Sequence, residues 1–468
     1  MHTDIYTIVS ITVIIMALAG IKMLGSPRTS VAGNRLGASA MLAAIILVLI
    51  YNSILGVTLV IGALALGGMI GMILALRVTM IRIPQMVAML NGFGGIASLL
   101  VAAVIVFDKF STLSSFEVVA AQLAVIVGGV TFGGSAVAAA KLDRKISQQP
   151  VKLKGHNLIG AALMAAMLLS AAAVTFTSMH VTFALIAGAA FAALAFGIIF
   201  AVRIGGADMP ITISLLNSYS GLAASICGFA IGDYLLISIG AIVGAAGLIL
   251  TRIMCRAMNR SLSDILTGRT SYTSSDNAAG EKENTAVSRE PAVEMTHEDK
   301  IDHAVSILNT AQKIIVVPGY GMALAQAQYN VKELYKRMTA DEKDVRFAIH
   351  PVAGRMPGHM NVLLAEVDIS YDRLCELEDI NPDFSETDAV IIVGACDVVN
   401  PAAITAEGTP IYGMPILHVH EAKKVLIFNL DLEPGYSGVE NPLYSAENVT
   451  IITGSAGDTL SDLLSKIK

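Results

Sequence analysis

The chain has 468 residues, 54% hydrophobic and 15% charged, with a mean hydropathy of +0.68 and a formal net charge of −6. A soluble protein carries about a quarter charged residues, so a wholly soluble fold is excluded. The acidic balance gives no footprint for nucleic acid, and Cys227, Cys255, Cys375 and Cys396 form no CxxC pair, so neither disulfides nor a metal site is expected.

From the N-terminus to Arg260 apolar runs recur, each long enough to cross a ~30 Å hydrocarbon core as a helix. Nine spans are predicted, near 5–24, 36–53, 55–76, 84–107, 117–140, 157–175, 181–202, 210–230 and 233–254. The first has no basic n-region and no small-residue cleavage site, so it reads as a membrane helix and not a removed signal. Lys22, Arg28, Arg35, Arg77, Arg82, Lys141, Arg144, Lys145, Lys152, Lys154, Arg203, Arg252, Arg256 and Arg260 fall on one side, leaving Lys109 on the other. The positive-inside rule then places the N-terminus outside and the C-terminal half in the cytoplasm. The expected division is a membrane domain at 1–260, a Ser/Thr/Asp/Glu-rich linker at 261–295 and a soluble domain at 296–468.

Residues 71–147 and 197–263 form a parallel internal repeat. Gly71, Arg77, Pro84, Asn91 and Gly95 recur 126 positions later as Gly197, Arg203, Pro210, Asn217 and Gly221. Asn91 and Asn217 each lie seven residues beyond a helix-starting proline, about 10 Å into the membrane at a rise of ~1.5 Å per residue. Amides at that depth either line a functional path or join helices. Asp208, in IGGADMP, is either a relay or coupling carboxylate or a solvated loop acid. No histidine lies mid-membrane.

In the soluble half the pattern alternates. A helix near 297–311 precedes strand KIIVV (313–317). There follow a helix from about 322, strands VRFAI (345–349), AVIIVG (389–394) and KVLIF (424–428), and a closing helix near 457–467. Apolar strands alternating with helices predict a Rossmann-like doubly wound parallel sheet, with ligands at the carboxyl ends of its strands. The loops there are unusual. Gly319-Tyr320-Gly321 is a phosphate-loop candidate, its glycines letting backbone N–H groups approach a pyrophosphate. His350–Met360 packs Val352, Ala353, Gly354, Arg355, Met356 and Pro357 into a constrained loop that is either a rigid ligand wall or an interface. Asp397 and Asn400 are placed to bond a ribose or a nicotinamide amide. Gly435 and Gly438 are placed to hinge a lid carrying Tyr436.

The stretches IGGADMPITISLLNSYSG, IMCRAMNRS, VPGYGMALAQAQY, IHPVAGRMPGHMNVLLAE, DVVNPAA and IYGMPIL resemble the beta subunit of proton-translocating nicotinamide nucleotide transhydrogenase, in order and across both halves. The resemblance implies a bacterial-type inner-membrane subunit with NADP(H) on this chain. Hydride would pass to or from NAD(H) on a partner alpha subunit in an alpha2-beta2 assembly, coupled to proton movement. It assigns Gly319, Tyr320, Gly321, Val352–Pro357, Asp397, Asn400, Gly413, Met414, Asn429, Gly435 and Tyr436 to the nucleotide. It assigns Asn91, Asp208 and Asn217 to the proton path or its coupling. No catalytic acid or base is expected, because hydride passes directly between two nicotinamide rings. Where the family carries a Lys-Arg pair for the 2′-phosphate, this chain has Asn429-Leu430-Asp431. Arg355, Lys423 and Lys424 are the candidate replacements. The competing reading is a transporter or channel whose cytoplasmic domain senses a nucleotide.

Overall fold

The computed structural model describes residues 2–51, 58–79, 82–143, 145–147, 150–151, 153–258, 260–267, 295–354, 358–409, 411–435 and 437–467. Arg144, Lys152, Arg355, Met356, Pro357, Tyr436 and residues 268–294 of the expected linker lie outside them. The chain divides into two compact units, Met1–Arg252 and Ile253–Lys468.

Nine described helices are long and apolar enough to cross a membrane. They are α1 (His2–Leu24), α2 (Pro27–Tyr51), α3 (Thr58–Arg77), α4 (Ile83–Lys109), α5 (Ser115–Leu142), α6 (His156–Ala173), α7 (Met179–Val202), α8 (Met209–Ile231) and α9 (Tyr234–Ala257). Helix α2 begins nine residues before its predicted start, because Pro27 suits the first turn of a helix. Helix α5 is central and packs on α4, α7 and α8. Glycines allow these approaches. A Cβ on Gly95 would lie 2.7 Å from the Gly128 carbonyl oxygen, and one on Gly133 2.5 Å from that of Leu194. Serines tie α8 to α9: Ser218 Oγ donates to the Gly244 carbonyl at 2.6 Å and Ser214 Oγ to that of Gly247 at 3.3 Å.

The sequence repeat does not carry over into equal packing. Gly197 of α7 lies against the backbone of Val130 and Gly134, whereas its counterpart Gly71 of α3 faces open space. Among the described residues, helix α3 has none that is buried.

In the second unit, α10 (Leu262–Thr267) and α11 (His297–Thr310) precede a sheet of six parallel strands. Thr296 and Asp299 form a capping box that fixes the start of α11. The strands are β1 (Lys313–Pro318), β2 (Asp344–Ile349), β3 (Leu374–Glu376), β4 (Ala389–Val393), β5 (Val425–Asn429) and β6 (Val449–Thr453), in the order β3-β2-β1-β4-β5-β6. The helices between them are α12 (Tyr320–Leu324), α13 (Gln328–Ala340), α14 (His359–Glu366), α15 (Leu377–Ile380) and α16 (Ala402–Thr405), with α17 (Ala456–Lys466) closing the chain. Strands β4 and β5 are buried at every position, which explains their unbroken apolar runs. The two unanticipated strands are the edges: β3 has three residues and β6 is mostly half-buried, so neither presents such a run.

Candidate nucleotide-binding and coupling sites

Strand order reverses between β1 and β4, and the crevice outside their carboxyl ends is where sheets of this topology take ligands. Two glycine turns meet there. The Gly319 N–H donates to the Val393 carbonyl at 2.8 Å, and the Gly321 N–H to that of Gly394 at 2.8 Å. A Cβ on Gly321 would lie 2.6 Å from the Gly394 Cα, and Gly394 itself has φ +69°. These glycines thus serve backbone-to-backbone packing of the β1 turn on the end of β4. The N–H groups of Gly319 and Gly321, offered by the sequence to a pyrophosphate, are here bonded to the backbone at the end of β4.

The β2 loop is organised by two histidines that motif reading passed over. His350, 2% exposed, shares a hydrogen bond between Nε2 and the Pro415 carbonyl at 2.8 Å, and its Nδ1 accepts from the Val352 N–H at 3.3 Å. Together these fix the neutral Nε2–H tautomer. They also staple the Val352–Gly354 wall to the segment holding Gly413 and Met414. That segment lines a cavity of about 330 Å³ with Ala403, Tyr412 and His418. His359, fully buried, fills the space beside Gly354, where φ is +107° and a Cβ would strike the ring. Its ring centroid lies 6.4 Å from that of Tyr320, so β1 and β2 loops meet across it.

Burial pushes the His350 pKa down to about 4 from an ordinary 6.5, against the opposing pull of its bond to Pro415. The folded state therefore resists a proton that the unfolded state takes up. Stability is full above pH 6.5 and is lost as pH falls from about 6.5 to 4, by about 3 kcal/mol at 1.36 kcal/mol per unit. Unfolding of this half, followed by tyrosine fluorescence between pH 7.5 and 4.5, is expected to show that slope in the parent and a shallower one in His350→Gln, the remainder coming from His420, whose pKa burial also lowers. Equal slopes in both would contradict the assignment. Asp388 does not interfere. Its bond from Lys423 and those from the Lys313 and Gln312 N–H groups hold its pKa near 2, so its contribution is lost only as pH falls below 3.8.

Asp397 and Asn400 lie at the end of β4 and face the β5 loop. The Asp397 carboxylate accepts from the Ser437 N–H at 3.0 Å and its hydroxyl at 2.6 Å. A Cβ on Gly435 would sit 2.7 Å from that carboxylate. Asn400, fully buried, donates to the carbonyls of Val439 and Glu440 and accepts from the Ala402 N–H. Both shape the loop that carries Gly435. Asn429, 6% exposed, ends β5; its Nδ2 donates to the Ala395 carbonyl at 2.9 Å and reaches Tyr444 Oη at 3.1 Å. Its Oδ1 is buried with no hydrogen-bond partner among the described residues. Lys423 and Lys424 precede β5, at the opposite edge of the sheet, where Lys423 pairs with Asp388 at 2.8 Å. They do not reach the carboxyl edge, which corrects their proposed role.

In the membrane unit Asn91 of α4 donates to the Ile213 carbonyl of α8 at 3.3 Å, so it joins helices. Asn217 is half-buried on α8. Asp208, 1% exposed, occupies the N-cap of α8, where the helix dipole favours a negative charge; it is not a solvated loop acid. Lys141, 1% exposed on α5, donates from Nζ to the carbonyls of Val202 at 2.6 Å and Ile204 at 2.7 Å. It thereby clamps the turn between α7 and α8 that carries Asp208. Sequence reading treated Lys141 only as a topology marker, because nothing local distinguishes a buried lysine from a loop lysine.

A family model described as NAD(P) transhydrogenase beta subunit matches residues 5–466. The NAD(P) transhydrogenase subunit beta of Rhodospirillum rubrum is 39% identical over 460 residues, covering 96% of this chain and 95% of its own length. The protein of the same name from strain ATCC 11170 of that species is similar to the same extent. The match runs through both units of the chain at nearly full length, and the chain belongs to the NAD(P) transhydrogenase beta-subunit family.

Proposed function

We propose that this chain is the membrane subunit of a proton-translocating transhydrogenase. It would hold one nicotinamide nucleotide at the carboxyl edge of its sheet and exchange hydride with a second nucleotide on a partner alpha subunit. The observation that supports the reading is the joining, in one chain, of nine described membrane-length helices to a sheet whose loops converge at the β1–β4 switch point. The bound nicotinamide supplies the carbon that gains or loses hydride. The residues of this chain position it and exclude water. The wall of Val352–Gly354 stapled by His350, the Gly319–Gly394 packing, and the β5 loop held by Asp397 and Asn400 would form the walls of that site. Arg355, Met356, Pro357 and Tyr436 are proposed contacts from the same loops.

The expected division, NADP(H) here and NAD(H) on the partner, belongs to this reading, as does an alpha2-beta2 assembly. So does an inner-membrane orientation with the N-terminus outside and the nucleotide domain cytoplasmic. Proton movement is assigned to the bundle through Asp208 and Asn217, with Asn91 as the α4–α8 tie. Coupling would be conformational: protonation near Asp208 and the redox state of the nucleotide each bias one arrangement of the chain, and linkage makes the two effects reciprocal.

The test is reduction of a nicotinamide analogue by the second nucleotide in membranes carrying this chain with and without its alpha partner. Hydride transfer is expected with both chains and not with this chain alone. Equal rates in membranes that lack this chain would contradict the proposal.

A further inference from the structure

A 2′-phosphate distinguishes NADP(H) from NAD(H), and it needs cations. The loops after the strands at the carboxyl edge, 319–327, 350–358, 394–401 and 430–441, contain one Lys or Arg between them, Arg355. They contain the carboxylates Asp397, Asp431, Glu433 and Glu440. Most other cations of the domain are committed elsewhere. Lys313 pairs with Glu386, Lys332 with Asp368, Arg346 with Asp383, Arg373 with Asp344, Lys423 with Asp388 and Lys466 with Asp302.

The end of β5 adds a second, independent observation. Asn429, the last residue of β5, is neutral and 6% exposed, and its Nδ2 is held by the Ala395 carbonyl at 2.9 Å, so it offers a 2′-phosphate no positive charge. Two residues on, Asp431 is exposed, its Oδ1 accepting the Glu433 N–H at 3.1 Å. A carboxylate beside the adenosine ribose favours a free 2′-hydroxyl and repels a 2′-phosphate.

We infer that the end of β5 takes an adenosine ribose with a free 2′-hydroxyl, so that the site of this chain binds NAD(H) at least as tightly as NADP(H). Asp431 is its specificity-determining residue. The inference rests on the proposed function for the existence of a dinucleotide site and departs from it on which dinucleotide is preferred.

The test is calorimetric titration of the purified full chain, without its partner, with NAD+ and with NADP+. The parent is expected to bind NAD+ with equal or higher affinity. Asp431→Arg, an exposed change, is expected to shift the affinity ratio at least tenfold toward NADP+. A parent that binds NADP+ ten times more tightly than NAD+, or a ratio unmoved by Asp431→Arg, would overturn the inference and leave the nucleotide site standing. A folded chain that binds neither nucleotide would overturn both.

Discussion

Gly319→Ala is expected to abolish nucleotide binding and to destabilise the second unit by about 3 kcal/mol or more. The position has φ −123°, which alanine adopts freely, so the effect is purely steric. The new methyl would enter the Gly394 carbonyl oxygen and lie 2.6 Å from the Ala395 Cα. Both obstacles are backbone, so no side chain can swing aside. Relief requires the β1 turn to move away from the end of β4, breaking the bond from the Gly319 N–H to the Val393 carbonyl. Overpacking of this kind costs about 1–3 kcal/mol, and the lost hydrogen bond adds about 1. Chemical unfolding of the soluble half and nucleotide titration measure the two consequences. A variant with parental stability and affinity would mean that the turns are not packed as described.

Lys141→Met is expected to produce the second large effect. Its ammonium satisfies two carbonyls at the C-terminal end of α7, where the helix dipole is negative and the last carbonyls lack intrahelical partners. Methionine keeps the length and removes both bonds. The Val202 carbonyl keeps the N–H of Val151 at 3.2 Å, so the Ile204 carbonyl is the acceptor left unpaired; a loss of roughly 1–3 kcal/mol is expected, read as a lower melting temperature in detergent. The same turn runs on through Gly205 and Gly206 to Asp208. Proton-coupled turnover should therefore fall further than nucleotide affinity, which is expected to stay at the parental value. Lys141→Arg, which keeps the charge and the donors, is expected to recover most of the coupled rate. A coupled rate unchanged in Lys141→Met would sever the link between this clamp and Asp208.

The contrast between these two residues marks what could be read from the chain. Gly319 is visible in sequence because a glycine turn between an apolar strand and a helix is a local pattern, and so were the nine spans and the four long-run strands. The purpose of its N–H groups was not visible, because their partners in β4 lie more than 70 residues away. Asp397 and Asn400 stand out in sequence as polar residues at a strand's carboxyl end. Their partners in the β5 loop are set by tertiary contact, so their use in shaping that loop was not legible. Strand β6 escaped because an edge strand lies half in solvent and needs no unbroken apolar run. The burial of Lys141 and Asp208 depends on which helices enclose them. Composition gives both the look of loop residues, and only the packing of α5 against α7 and α8 separates them from Lys145 or Lys154.

On the proposed function, hydride exchange at the sheet's carboxyl edge drives, and is driven by, protons crossing the membrane helices. The most direct measurement is proton movement in sealed vesicles reconstituted with both subunits, followed with a pH-sensitive dye while hydride transfer is started by adding the nucleotide pair. The account predicts a pH gradient that forms with the reaction and collapses with a protonophore. It also predicts that Asp208→Asn keeps nucleotide binding while losing at least tenfold in proton movement. Rapid hydride transfer with no gradient in the parent protein would contradict it.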